Sequence, residues 1–246
     1  MLKSIELHYV SKGNNLNGLS HYFRTVRAIW NRALKEGIVR SEGYPFKEYK
    51  IKQVKTHKTA LRKEDILSLL EVGLPEGTLA WHWHARNMFF FSFYCQGMNF
   101  GDIAKLKVEN IQAERILYTR SKVGKVISVK LNDKINAILD IYQKDKKTDD
   151  YIFPIITHEP RRVSQIKEYR DGVNHALKRW AKKLELDSTL SFNTARHSWA
   201  TIGMDLNLPI AVISQGLGHN DIRTTQIYLD AFQNDVIDGA NDLITS

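Results

Sequence analysis

The spacing of apolar residues changes along the chain, and each change marks an element. Leu19, Tyr22, Phe23, Val26, Ile29, Trp30, Ala33 and Leu34 recur at intervals of three and four, which predicts an amphipathic helix. Arg24, Arg27 and Arg32 fill the intervening positions. Gly43, Pro45 and closely spaced lysines make Glu42–Lys58 read as a linker. A second unit opens with a helix at about Lys63–Val72. Another helix, from about Gly77 to Tyr94, is so apolar in its second half that it is expected to be the central core helix. Gly97 ends it, and Asp102–Leu106 starts a short one. Strand character is clear only at Ile116–Thr119 and Val126–Lys130, with Lys122 and Gly124 between them, which predicts a hairpin. Beyond Asp133 the pattern is helical, broken at Asp149–Pro160, Leu186–Ser191 and Leu206–Pro209. There is no internal repeat. The expected fold class is mainly α with a small antiparallel β-sheet (α+β).

Composition narrows the classes open to such a fold. The 246 residues include a single cysteine, Cys95, which excludes a disulfide scaffold and argues against a cysteine-rich zinc site. Met1–Ser11 alternates polar and apolar residues and carries no signal pattern, and the longest apolar run, Met88–Cys95, is too short to span a bilayer. The net charge is +9, and it is concentrated. Residues 1–58 hold twelve Lys or Arg against four Glu, a net of +8, leaving 24 basic against 23 acidic residues in the rest of the chain. Such a bias suggests an acidic polymer as partner. Because the basic segment carries its own apolar stripe, it reads as a small folded unit and not as a solvated tail.

Three segments near the C-terminus carry candidate chemistry: Thr194-Ala195-Arg196-His197-Ser198-Trp199-Ala200-Thr201, then Leu217-Gly218-His219, then Thr224-Thr225-Gln226-Ile227-Tyr228. Thr194 is a plausible N-cap that would put Arg196 in a first helical turn, a place suited to a bound phosphate. Gly218 resembles a helix C-cap that turns His219 outward. Asp221 can cap a last short helix presenting Tyr228 about two turns in. Singly, each has an ordinary explanation: a solvated arginine, a surface histidine, a half-buried tyrosine. Their order and spacing together reverse that weighting.

At these residues the sequence closely resembles the tyrosine recombinase (phage integrase) family, especially integrases of conjugative transposons and related mobile elements. The resemblance runs from about Thr59 to Leu229, and Gly18–Gly37 looks like the last part of the family's core-binding domain. It implies a partial helical, SAM-like core-binding domain with a linker over residues 1–58, and a catalytic domain over 59–246. It also implies cleavage of double-stranded DNA by a tyrosine hydroxyl, giving a 3′-phosphotyrosine and a free 5′-hydroxyl without metal, ATP or any other cofactor. By position, Tyr228 matches the nucleophile, and Arg196 the family's second arginine, whose fork can hold two phosphate oxygens. His219 matches the histidine that hydrogen-bonds the scissile phosphate, and Lys122, in Arg120-Ser121-Lys122-Val123-Gly124, the lysine that protonates the leaving 5′-oxygen.

Two positions depart from that pattern. Gly97-Met98 is followed by Asn99 where the family has its first arginine, with Asp102 where an acidic residue usually supports it. Asn193 stands where the family has a further histidine, three residues before Arg196. An asparagine donates hydrogen bonds but brings no charge and moves no proton. Arg120 can compensate for Asn99: if the chain is extended there, residues 120 and 122 share a face, so Arg120 becomes a surrogate arginine. His197 could stand in for the histidine absent at 193, but it lies about 100° around a helix from Arg196 and is assigned to packing.

Other residues carry weaker signals. His82 and His84 do not share a helix face, which argues against a metal site. Arg161 and Arg162, with Lys167, join Arg24, Arg27 and Arg32 as expected phosphate contacts. Phe232, Val236, Ile237, Ala240 and Leu243 form an apolar stripe, read as a short helix that the resemblance implies docks in trans on a neighbouring protomer. A dimer or tetramer on DNA and a bacterial cytoplasmic, nucleoid-associated setting follow from the same resemblance. The rival readings are a DNA-binding regulator with a decayed site, and a type IB topoisomerase-like enzyme.

Overall fold

A computed structural model describes residues 1–54, 59–72, 80–186, 190–226, 228 and 244–245. The chain divides into two compact units, Met1–His57 and Lys58–Ser246.

In the first unit, α1 (Leu2–Ser11) packs against α2 (Leu16–Lys35). Met1–Ser11 is therefore helical despite its alternating pattern. Asn15 caps α2, its side chain accepting from the Asn17 N–H at 2.7 Å. The stretch expected to be a linker folds back instead. Phe46 is buried, Phe46 and Tyr49 meet Phe23 edge-to-face, and Tyr44 and Ile51 pack beside them, closing a small core with Leu2 and Leu19. Asn17 pins this return by hydrogen bonds to both backbone groups of Val54. Lysine density was a poor guide here, because the aromatic residues between the lysines supply the anchor. Only the start of the α2 stripe is buried in this way: Tyr22, Val26 and Ile29 remain exposed, as do Arg24, Arg27 and Arg32.

The second unit follows the predicted order. It contains α3 (Lys63–Glu71), α4 (Ala80–Tyr94), α5 (Phe100–Ile103), β1 (Ile111–Gln112), β2 (Arg115–Thr119) and β3 (Val126–Lys130). It continues with α6 (Asp133–Gln143), α7 (Arg162–Lys183), α8 (Phe192–Asp205), α9 (Ile210–Gly216) and α10 (Arg223–Gln226). Helix α4 is the central one: α6, α7 and α8 all pack on it, and Met88, Phe89, Phe90 and Phe91 are completely enclosed. At about 1.5–3 kcal/mol per large side chain, this run makes a substantial contribution to the unit's hydrophobic core. Cys95, just beyond it, is also fully buried, and burial pushes its thiol pKa up.

The sheet has three antiparallel strands in the order β1-β2-β3, with Ile116 opposite Val129 and Tyr118 opposite Ile127. The two-residue β1 escapes sequence reading because it is too short to show a period. Its partner β2 turns Ile116 and Tyr118 toward the core, and Arg120 continues that parity inward. Among the described residues no helix is long and apolar enough to cross a membrane. The apolar stripe from Phe232 to Leu243 lies outside the described residues.

Candidate active site

Four stretches of the second unit converge on one cleft of about 450 Å³, lined by Asn99, Arg120, Lys122, Asn193, Arg196, His197, His219 and Tyr228, among others. Each stretch is held by local geometry. After α4, Gln96 and Gly97 both adopt left-handed backbone (φ 57° and 70°), and Ser92 ties the turn down, accepting from Gly97 N–H and donating its hydroxyl to Met98 O. A Cβ on Gly97 would lie 2.9 Å from the Arg196 Cα, so only glycine lets the two segments approach this closely.

Helix α8 begins three residues earlier than expected. Ser191, not Thr194, is its N-cap, and Thr194 completes a capping box with it. Arg196 therefore sits in the second turn, away from the free N–H groups, and is buried (8% exposed). Its guanidinium is instead positioned by acceptors from elsewhere: Nη1 donates to Gly97 O at 2.6 Å, and Nη2 donates to Leu217 O at 2.6 Å. Burial, then the neighbouring Arg120, lower its pKa to about 10, which leaves it charged at neutral pH.

Helix α9 ends as predicted. Gly218 is left-handed (φ 64°), and the Gly218 and His219 N–H groups donate to Gln215 O and Ser214 O, a Schellman arrangement. This aims His219 into the cleft. A guanidinium has no acceptor, so Arg196 Nη2 donates to His219 Nε2 at 3.0 Å, and the proton of the neutral ring lies on Nδ1, which donates to Thr225 Oγ1 at 2.8 Å. Burial first, then Arg196, Arg120, Lys122 and Lys125, press the His219 pKa down to about 4. Asp221 accepts from the Arg223 N–H at the start of α10, as its predicted capping role requires.

The hairpin segment is not extended through residue 122. The ladder ends at Arg120, whose N–H donates to Lys125 O, and residues 121–123 form a turn. Lys122 is exposed on that turn while Arg120 is buried (6% exposed), yet both line the cleft. Arg120 Nη1 donates to Gly218 O. Its Nε and Nη2 face the Asn99 side chain, whose amide oxygen, turned toward them, accepts both at 3.2 Å. Asn99 occupies the N-cap position of α5 but spends no side-chain bond there. Asp102, buried nearby, accepts from the Ser121 N–H at 2.9 Å and so fixes the turn that carries Lys122.

Tyr228 is buried (8% exposed) against Ala200, Met204, Ile213 and Leu217. Burial raises its pKa, an effect opposed by Arg196. Its hydroxyl meets His197 Nδ1 at 2.7 Å. His197, assigned to packing, both lies against the Tyr228 ring, with centroids 5.7 Å apart, and hydrogen-bonds its hydroxyl. Asn193, exposed at the cleft rim, and His197 are four apart on α8 and share a face.

The remaining candidates lie elsewhere. Arg161 and Arg162 are exposed at the start of α7 and are paired with Glu168 (4.0 Å) and Glu159 (3.4 Å). Arg32 pairs with Glu36 in α2. His84 bonds to the Tyr142 hydroxyl at 2.9 Å within the core.

A cleft of two buried arginines, a histidine, an exposed lysine and a tyrosine on this helical scaffold defines a class. Residues 59–235 match the model of the phage integrase family, and the chain belongs to that family. Its enzyme class is that of the tyrosine-type site-specific recombinases; the regulator and topoisomerase readings are not favoured. Among curated relatives, tyrosine recombinase XerD of Staphylococcus epidermidis is 26% identical over 228 residues, covering 90% of this chain and 74% of that protein. Tyrosine recombinase XerA of Pyrococcus furiosus is 27% identical, over 71% of this chain and 58% of its own. In fold, the chain is similar to the Tn1549 transposon integrase solved with transposon right-end DNA (TM-score 0.71, 14% identical, covering all of this chain and 84% of that one). It is also similar to a lambda integrase dimer bound to a core site (TM-score 0.66, 15% identical, 92% of this chain and 63% of that one).

Proposed function

We propose that this chain cuts and rejoins duplex DNA through a 3′-phosphotyrosine at Tyr228, with Arg196 and Arg120 clamping the scissile phosphate. The observation that carries this reading is the pair of buried guanidiniums fixed by main-chain carbonyls in the cleft that also holds Tyr228. The transition state gathers charge on the non-bridging oxygens, and fixed cations in a water-poor cleft stabilise it without reorganising. Arg120 takes the role of the arginine replaced by Asn99, and their direct contact supports that exchange. His219 hydrogen-bonds the phosphate through Nε2, which takes up a proton as the anion replaces its Arg196 contact. Lys122, on its exposed turn, gives a proton to the departing 5′-oxygen. Asn193 serves as a neutral donor to the phosphate.

Residues 1–58 act as a partial core-binding domain, with Arg24, Arg27 and Arg32 on phosphates, and residues 59–246 act as the catalytic domain, to which Arg161 and Arg162 add backbone contacts. Assembly as a dimer or tetramer on DNA is supported by the lambda integrase structure, a dimer on its core site. No metal or other cofactor enters the chemistry.

The test is covalent trapping. Nicked duplexes with randomised centres, which lose the cleaved fragment by diffusion, are incubated with the protein and run on a denaturing gel. The wild-type chain gives an adduct and Tyr228→Phe gives none; an adduct that survives in the variant removes Tyr228 as the nucleophile.

A further inference from the structure

Among the described residues, the other groups lining the cleft are poorly suited to take the nucleophile's proton: Asp221 is ion-paired with Arg223 at 2.6 Å. Asn193 has no basicity, and Arg196 and Arg120 are donors only. His219 is already committed, its Nε2 accepting from Arg196 and its Nδ1 donating to Thr225. Lys122, as the acid for the leaving oxygen, must begin protonated. One ring nitrogen does touch the Tyr228 hydroxyl: His197 Nδ1, at 2.7 Å, with ring centroids 5.7 Å apart. His197 is half-buried and lines the cleft one helical turn beyond Asn193.

We propose that His197 is the general base of strand cleavage. This rests on the reading of Tyr228 as nucleophile. As the Tyr228 Oη–P bond forms, the hydroxyl proton passes to His197 Nδ1. The P–O5′ bond breaks, and the departing oxygen takes a proton from Lys122 Nζ. The products are a phosphotyrosine, an imidazolium at His197, a neutral amine at Lys122 and a free 5′-hydroxyl, so charge and protons balance. Rejoining runs the same steps in reverse, with His197 returning the proton to the tyrosine oxygen. The buried tyrosine gives the step its need: away from water, and with its pKa raised, the hydroxyl does not ionise unaided at neutral pH.

The groups facing this pair are Arg196 from the same helix, Arg120 and Lys122 from the hairpin, His219 after α9, and Asp221 before α10. Of these, burial and the surrounding cations hold His219 of the DNA-free chain neutral at pH 7.

The experiment measures single-turnover adduct formation on the nicked duplexes, as a function of pH, for wild type, His197→Gln and His197→Ala. Glutamine keeps a hydrogen-bonding group beside Tyr228 but cannot take a proton. His197→Gln is expected to cleave about a hundredfold more slowly, with unchanged DNA affinity. Free imidazole should restore part of the His197→Ala rate, an effect no purely structural role predicts. Cleavage by His197→Gln at the wild-type rate overturns the proposal, as does a His197→Ala rate that free imidazole leaves unchanged. If the wild-type chain itself forms no adduct, the nucleophile assignment falls first and this inference with it.

Discussion

The cleft's two arginines and its lysine carry the same charge but are built in opposite ways. Arg196 and Arg120 are buried, and each guanidinium is locked onto carbonyls supplied by remote segments: Gly97 and Leu217 for one, Gly218 for the other. Lys122 is exposed on a three-residue turn and makes no side-chain hydrogen bond or ion pair among the described residues. A charge that stabilises a transition state gains from rigidity, because nothing then reorganises as the reaction proceeds. A group that hands over a proton must move with the leaving atom and regain its proton from water, which exposure permits. On the proposed roles, fold stability and phosphate binding are joined in the arginines and separated in the lysine.

This difference is open to attack from several sides, with the largest effect expected at Arg196. Arg196→Ala leaves two carbonyls and the His219 ring nitrogen without their donor, so it should lower unfolding free energy by about 2–3 kcal/mol in urea titrations. The same variant should reduce adduct formation by about a thousandfold. Arg120→Ala is expected to cost about a hundredfold in cleavage, with DNA affinity in gel shifts nearly unchanged, since one phosphate contact is a small part of binding. An unaltered cleavage rate there would return Arg120 to a purely structural role.

Lys122→Ala divides the two designs most sharply. Its stability should change by no more than about 0.5 kcal/mol, while cleavage falls about a hundredfold. Replacing the leaving 5′-oxygen with sulfur, which departs without a proton, should restore the Lys122→Ala rate but not that of Arg196→Ala.

The smallest effect is a pH dependence. His219 is neutral in the folded chain down to about pH 4, but protonates at its ordinary value near 6.5 when unfolded. Between those values the unfolded chain holds the extra proton, so this residue's contribution to stability is lost as pH falls from 6.5 toward 4. A bound phosphate opposes the surrounding cations and should raise the pKa. DNA binding at pH 6 is therefore expected to take up protons, measured by calorimetry in buffers of different ionisation heat, and more weakly at pH 8.

What the sequence revealed follows from how local each signal was. The α4 core run, the hairpin and the turn at Gly218 depend on adjacent residues, and all three formed where expected. The start of α8 was misplaced because Ser191 and Thr194 are both capping residues, and the choice between them rests on the box they form together. The return of residues 44–51 onto α2 went unseen because its aromatic anchors are scattered among lysines. The His197–Tyr228 hydrogen bond spans 31 positions and two elements, so no local spacing reveals it. The Arg120–Asn99 contact joins elements whose approach no local pattern encodes, and the shared face expected for residues 120 and 122 does not form because residues 121–123 turn.

The same long-range carbonyl contacts have a consequence for synthesis. Arg196 binds Gly97 across 99 positions, and Arg120 binds Gly218 across 98. At a ribosomal pace of about 5–20 residues per second, Arg120 waits roughly 5–20 seconds before its anchoring residue is made. The nascent chain thus carries the basic unit well before the cleft is whole, and the cleft is complete only once Tyr228 has been made.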